Sequence, residues 1–283
     1  MKTFAADHYF HIGRAHTLSG KPNQDYATSG IFAGGAYAIV SDGCSTGGAT
    51  DVGARITALS LAAELRELCV PGTSVSSDGI KESLAVALRQ NARTAVAQEH
   101  LGLSREDVLA TCVYAYLSES GGYVHIRGDG AVALVKKNGS LVLIRVEWDE
   151  NMPFYPAYEY AKKTLDEFIA AHGGDTEALR VTEETCVLEE DGSAVCKKEP
   201  RTLLDGLRGM IIPINPALME ELSFVAVFSD GVTQCGDLDW KDAVRSLVSY
   251  KNDTGEFVKR KMARFIKTES AAGRDPIDDI ACA

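Results

Sequence analysis

The stretch Ala36-Tyr37-Ala38-Ile39-Val40-Ser41-Asp42-Gly43-Cys44-Ser45-Thr46-Gly47-Gly48 is an apolar run that ends in an acid, then a glycine, then small residues. Far downstream, Phe224-Val225-Ala226-Val227-Phe228-Ser229-Asp230-Gly231-Val232 repeats the device. Each reads as a buried β-strand that delivers a carboxylate at its C-terminal end, with glycine allowing a sharp exit. An isolated Asp-Gly pair marks a turn and nothing more. Two such acids, carried on strands from distant parts of one chain, are what a metal site inside a folded scaffold needs.

Working outward, the N-terminal residues from Thr3 to about His16 read as strand, and Ser19-Gly20-Lys21-Pro22-Asn23-Gln24-Asp25 is a turn that places Asp25 before the next strand. An Asx-type turn would account for Asp25 equally well. From Asp51, Ala54, Ala58, Leu61, Leu65 and Leu68 recur on one helical face with Val52, Ile56 and Leu59 beside them, which predicts a well-covered helix closed at Pro71-Gly72. Asp78 reads as the N-cap of a second helix bearing Ile80, Leu84, Leu88 and Ala92. Residues 110–146 read as an antiparallel meander, with Asp129 where two strands meet and Asn138-Gly139 as a hairpin turn.

Residues 148–210 change character: an aromatic irregular stretch, a helix stopped by Gly173-Gly174, and a hairpin at Asp191-Gly192. They read as an insertion or flap on one domain spanning 1–283. Asp239 begins a further helix, and Asp253-Thr254-Gly255-Glu256 has capping-box spacing for the last one. The chain closes on Asp278-Asp279 and the start of a strand. Strands in meanders, then helix pairs, then strands again indicate an α+β layered domain and not a βαβ alternation.

Composition narrows the function. Lys+Arg 29 against Asp+Glu 40 gives a net charge of −11, which argues against nucleic acid or an anionic membrane as the partner. No apolar run reaches the roughly 18 residues of a membrane span, and the first residues lack a signal-peptide core. Seven cysteines, at 44, 69, 112, 186, 196, 235 and 282, include no Cys-x-x-Cys pair. They read as reduced thiols in a cytoplasmic protein.

Asp42, Asp129, Asp230 and Asp278 thus share a context at strand ends or turns. Carboxylates gathered within a few ångströms repel one another and take up protons unless cations intervene. All-oxygen ligation suits Mg²⁺ or Mn²⁺, and no Cys/His spacing for zinc is present. His8, His11 and His16 are too loosely spaced for a metal site, and His125 reads as a packed or surface histidine. No Gly-x-Ser-x-Gly elbow, phosphate-binding Gly-x-x-x-x-Gly-Lys loop or Cys-x5-Arg spacing appears, so a covalent nucleophile is not indicated.

In order along the chain, Asn23-Gln24-Asp25, Ser41-Asp42-Gly43, Gly128-Asp129-Gly130, Ser229-Asp230-Gly231 and Asp278-Asp279-Ile280-Ala281 resemble the motifs of the metal-dependent protein phosphatases of the 2C type. Gly13-Arg14-Ala15-His16 and residues 20–25 look like a bacterial branch of that family. The resemblance implies a four-layer αββα sandwich, with two mostly antiparallel sheets flanked by helices, and a Mn²⁺ or Mg²⁺ centre of two ions with a weaker third. By the same resemblance Asp42 bridges, Gly43 offers its carbonyl, Asp230 and Asp278 ligate, Asp129 joins the third site, and Asp25 holds coordinated water. Of the final acid pair, Asp278 aligns with the ligand.

The implied activity is hydrolysis of serine/threonine phosphomonoesters in proteins by a metal-activated hydroxide, without a phosphoenzyme. The implied partners are a phosphoprotein and a cognate Ser/Thr kinase. A catalytically silent scaffold that binds a signalling partner, or a small-metabolite phosphatase, are the alternatives. The chain departs from the pattern at Gly20, where many members carry a phosphate-holding Arg, leaving Lys21, His16 and Arg14 as substitutes. It departs again at Cys44, where eukaryotic members carry a His.

Overall fold

The chain enters through β1 (Tyr9–His11) and a short helix α1 (Arg14–Ser19), then forms a hairpin of β2 (Asp25–Phe32) and β3 (Gly35–Asp42). Helices α2 (Thr50–Leu68) and α3 (Gly79–His100) follow. Next come β4 (Cys112–Ser118), β5 (Gly121–Arg127), β6 (Gly130–Lys136), β7 (Leu141–Trp148), α4 (Lys162–Ala171), β8 (Leu179–Leu188) and β9 (Ala194–Thr202). The chain finishes with α5 (Leu203–Arg208), β10 (Met210–Ile214), α6 (Pro216–Glu221), β11 (Leu222–Phe228), α7 (Trp240–Leu247), α8 (Phe257–Ala271) and β12 (Ile280–Cys282). This computed structural model describes residues 3–68, 79–191 and 193–283; Pro71-Gly72, Asp78 and Gly192 lie outside them.

Two antiparallel sheets stack face to face. One has 7 strands in the order β1-β12-β11-β6-β7-β8-β9, the other 5 in the order β10-β5-β4-β3-β2. Val40, Val113 and Val124 from the smaller sheet meet Val132, Ile144 and Val227 from the larger in the core between them. On the outer face of the smaller sheet, Ile39, Tyr114 and Tyr116 pack on Ala58, Leu61 and Leu65 of α2. On the outer face of the larger, Ala131, Leu143 and Phe228 pack on Val244, Met262 and Phe265 of α7 and α8. The αββα sandwich is therefore the observed architecture. It explains why residues 36–40 are continuously apolar: a strand covered on both faces needs no alternation.

Several expectations are corrected. Residues 3–16 are strand only at Tyr9–His11, and the segment from Arg14 turns into helix. The run from β4 to β7 is not a continuous meander, because β5 pairs with β4 and β10 whereas β6 pairs with β7 and β11. Gly128-Asp129-Gly130 carries the chain from one sheet to the other. Gly128 and Gly130 take φ of 98° and 136° there, a region that L side chains avoid. In α2 the expected face of Ala54, Ala58, Leu61 and Leu65 is buried, but Val52 and Leu59 are exposed. In α3 Leu88 is 67% exposed, and the helix instead buries Ser83, Val86, Ala87, Gln90, Asn91 and Thr94.

Helix α8 has no capping box, and Glu256 makes no side-chain cap. Its N-terminal N–H groups are met by Asp7 Oδ2, which accepts from Val258 at 2.7 Å and Lys259 at 3.3 Å. Asp239 does cap α7, accepting from the Lys241 N–H at 2.8 Å. Cys186 and Cys196, register partners on β8 and β9, are joined in a disulfide, which corrects the expectation that every cysteine is a free thiol. Among the described residues no helix is long and apolar enough to cross a membrane. From residues 148–210, β8 and β9 extend the larger sheet, and Phe154, Phe168 and Leu203 enter the core between the sheets.

Candidate metal centre

The hairpin register puts Asp25, the first residue of β2, directly opposite Asp42, the last of β3. Asp129 lies at the crossing between the sheets, Asp230 one residue past Ser229 at the end of β11, and Asp278 just before β12. Asp42 lies within hydrogen-bonding reach of both Asp25 and Asp230. Asp230 also interacts with Asp129 and Asp278. All five acids therefore converge at one end of the sandwich.

Small residues make this convergence possible. A Cβ on Gly43 would come within 2.6 Å of the Thr50 carbonyl oxygen, and one on Gly231 would run into the carbonyl of Asp279. Thr111 holds the end of β3 by accepting the Ser41 hydroxyl at its carbonyl, 2.6 Å away, and by donating its N–H to the Asp42 carbonyl at 2.8 Å.

Asp25 is buried. Its Oδ2 accepts the Ser229 hydroxyl at 2.6 Å, while its Oδ1 has no hydrogen-bond partner. The Asx turn at this point belongs to Asn23, whose Oδ1 accepts the Asp25 N–H at 2.9 Å and leaves the Asp25 carboxylate free for the cluster. Asp230 Oδ2 and Asp278 Oδ2 share the Gln234 amide, at 3.1 and 3.5 Å.

Burial pushes the carboxyls of Asp25, Asp42 and Asp129 well above the ordinary carboxylate range, and neighbouring acids push them further. Asp230 is raised to about 6, by burial first and by Asp278 next. The largest influences on these four acids include no Lys or Arg among the described residues. Acids held this close without a basic partner favour hard cations as their counter-charge. The buried, unpartnered oxygen of Asp25 fits the same conclusion, since such atoms in folded proteins ordinarily bind water or an ion.

Asp279 behaves differently from Asp278. It is 2% exposed, and its carboxylate accepts the Gly13 N–H at 2.7 Å, the Gln24 N–H at 2.5 Å and His16 Nδ1 at 2.8 Å. Both of its oxygens are committed, so although His16, Asp278 and Asp279 lie close together, Asp279 serves as a brace. His16 faces that brace. Lys21 is exposed and its ammonium donates to the Ser45 carbonyl at 2.8 Å, on the loop that follows Asp42. Arg14 is exposed on α1.

Sequence reasoning missed Ser229, Gln234, the bracing role of Asp279 and Tyr155. Tyr155 lies near Cys44, Asp42 and Asp129, and burial raises its phenol far above the ordinary value. The serines of the two strand-end Ser-Asp-Gly motifs were a usable signal, because Ser41 and Ser229 turn out to be buried hydrogen-bond donors. Tyr155 left none, since the irregular segment that carries it has no periodicity. Beside Asp129 and Asp230 a cleft of about 580 Å³ runs outward past Glu147 and Asn151.

No curated protein matches the chain. Among solved structures, the serine/threonine phosphatase Stp1 from Staphylococcus aureus aligns at TM-score 0.53 and 12% identity, covering 100% of this chain and 94% of its own. The S. agalactiae serine/threonine phosphatase aligns at TM-score 0.53 and 15% identity, covering 98% and 96%. The Mycobacterium tuberculosis phosphatase PstP/Ppp aligns at TM-score 0.51 and 12% identity, covering 97% and 94%. At such identities the likeness is one of fold. The family model described as protein phosphatase 2C matches residues 12–273, and the chain belongs to that family.

Proposed function

We propose that the protein is a serine/threonine phosphoprotein phosphatase that works with divalent metal ions, Mn²⁺ or Mg²⁺, in a pair with room for a third. The observation that carries this reading is the convergence of Asp25, Asp42, Asp129, Asp230 and Asp278 without a basic partner, with one oxygen of Asp25 buried and unsatisfied. Family membership and the bacterial Ser/Thr phosphatase neighbours support the substrate class.

Asp42, the Gly43 carbonyl, Asp230 and Asp278 would hold the two principal ions, and Asp129 with Asp230 the third. Bound divalent ions supply Lewis acidity towards phosphoryl oxygens and bring the pKa of water down to near neutrality. The chain's own residues do the remaining work. Asp25 presents its free oxygen to the cluster, where it can hold and orient water. Asp279 and His16 act as positioning residues, fixing the 13–24 segment against the Asp278 strand. Lys21 and Arg14, both exposed, are the proposed phosphate contacts at the rim.

The serine hydroxyls that precede Asp42 and Asp230 are already engaged, Ser229 with Asp25 and Ser41 with Thr111, which supports direct attack by water over a phosphoenzyme. Cys44, hydrogen-bonded with Thr46 at 3.3 Å and close to Tyr155, makes a poor proton donor to a leaving alkoxide. The expected result is faster turnover of aryl phosphates than of phosphoserine peptides.

Residues 148–210 are proposed as an insertion on a single domain that borders this site, supported by Tyr155 beside Cys44 and Asn151 on the cleft. A cognate Ser/Thr kinase and a cytoplasmic setting belong to the same proposal. The test is Mn²⁺-dependent phosphate release from aryl phosphate and phosphopeptides, with Asp42→Ala and Asp230→Ala as controls. Turnover that survives both substitutions overturns the reading. So does the absence of metal-dependent turnover.

A further inference from the structure

The cleft beside Asp129 and Asp230 has a charged wall whose chemistry bears on the substrate. Glu147, Asp149 and Glu150 line it and are exposed. The one cation among the described residues of the lining, Arg145, is neutralised from two sides, with Glu147 Oε1 at 3.0 Å and Glu184 Oε2 at 2.8 Å, and its guanidinium lies 5.1 Å from the centre of the Trp240 ring. Asp149 and Glu150 have no ionic partner among the described residues.

The wall is held in place from below. Trp148 is buried and donates its indole N–H to the Gly128 carbonyl at 2.9 Å, tying the wall to the crossing that carries Asp129. Glu150 and Asn151 take φ of 57° and 52°, so the turn that presents them is a defined left-handed one. At the inner end Asp129 is 8% exposed, and its carboxylate accepts a hydrogen bond from no other described residue.

Resting on the phosphatase reading, we propose that this cleft receives the residues flanking the phosphoryl group and selects phosphoserine or phosphothreonine segments that carry Arg or Lys over segments that carry Asp or Glu. A phosphate at the acid cluster places its neighbours in the chain only a few ångströms away, since an extended residue spans roughly 3.3 Å. Acidic flanks would have to approach the unpaired carboxylates of Asp149 and Glu150, whereas basic flanks supply the missing partners. Each exposed pair is weak, but several acting in one direction amount to about tenfold in kcat/KM. The net charge of −11 adds a general attraction for cations, so the test must separate the wall from the overall field.

The experiment compares two phosphoserine peptides, identical except for flanking Arg or flanking Glu, with aryl phosphate as a flank-free substrate. Wild type is set beside the double reversal Asp149→Lys/Glu150→Lys and beside a second double reversal at a distant, exposed hairpin tip, Glu189→Lys/Glu190→Lys. The expected ratio of kcat/KM for the basic over the acidic peptide is about ten in wild type, falling to near one in the first variant and holding in the second. An equal fall in both variants assigns the preference to net charge and overturns the proposal. Aryl phosphate turnover with a wild-type ratio near one overturns the selection and leaves the phosphatase standing; no metal-dependent release from any substrate overturns both. The wild type gives an independent reading, since the ratio should approach one as NaCl rises to about 1 M, where the screening length is roughly 3 Å. A ratio that ignores salt overturns the electrostatic assignment.

Discussion

At the scale of single residues, the acids at the site divide into those gathered against one another and one that is saturated with hydrogen bonds. Asp279 accepts three hydrogen bonds from Gly13, Gln24 and His16 while buried, and hydrogen bonds to a charged acceptor are worth about 1.5–3 kcal/mol each. Asp279→Ala would leave two backbone N–H groups buried and unsatisfied, and should cost about 3–5 kcal/mol in urea unfolding. Asp279→Asn, which keeps shape and an acceptor oxygen, should cost clearly less. Equal losses would mean that bulk and not hydrogen bonding is what Asp279 contributes. Asp42 is the opposite case, a carboxylate raised in pKa by burial and by its acidic neighbours. Asp42→Asn should therefore abolish phosphate release while raising the metal-free melting temperature, by about 1 kcal/mol in stability, as expected where a site holds like charges together. A lower melting temperature for the metal-free variant would show that the repulsion is already relieved.

At the scale of elements, α8 shows how a local rule can name the right feature and the wrong residue. The pattern 253–256 promises a local cap, but the helix starts at Phe257 and is capped by Asp7, from the far end of the chain. Asp7→Ala should cost about 1 kcal/mol, the usual price of a lost N-cap, read as a lower melting temperature. Glu256→Gln should change it little, because among the described residues that side chain bonds only to Lys259 at the exposed surface. What the sequence made legible follows the same division. Strands ending in Ser-Asp-Gly were readable because burial on both faces leaves an unbroken apolar run, as at Ile39-Val40 and Val227-Phe228. The buried face of α3 was not readable, because it is largely polar: Ser83 bonds His125 at 2.7 Å, and Gln90 and Asn91 bond the buried guanidinium of Arg127 at 2.8 and 3.0 Å. Leucine spacing then points to the wrong side. Register and sheet membership were also out of reach, since nothing local to residues 128–130 reveals that the chain changes sheets there, and the Cys186–Cys196 pairing follows from the register of β8 and β9.

At the scale of the whole molecule, the site sets the stability of the sandwich through charge. Asp25, Asp42 and Asp129 are raised well above the ordinary carboxylate range and Asp230 is raised from 3.8 to about 6. A carboxyl whose pKa is higher folded than unfolded binds more protons in the native state across that window, so stability falls as pH rises through it. For Asp230 alone the loss falls between pH 3.8 and about 6, and the other three act in the same direction. In EDTA the melting temperature should therefore decline as pH rises from about 4 to about 6, against the usual trend for carboxylates paired with bases. Saturating Mn²⁺ should remove or invert the slope, because bound cations favour the ionised acids and their binding releases protons. It should also raise stability by about 2.7 kcal/mol at one hundred times its dissociation constant. In Asp230→Asn, which deletes an acid shared by the proposed ion sites, both the EDTA slope and the Mn²⁺ increment should shrink. A flat pH profile in EDTA together with no Mn²⁺ increment would mean that the five acids do not form one electrostatic unit, and the metal centre would fall with that result.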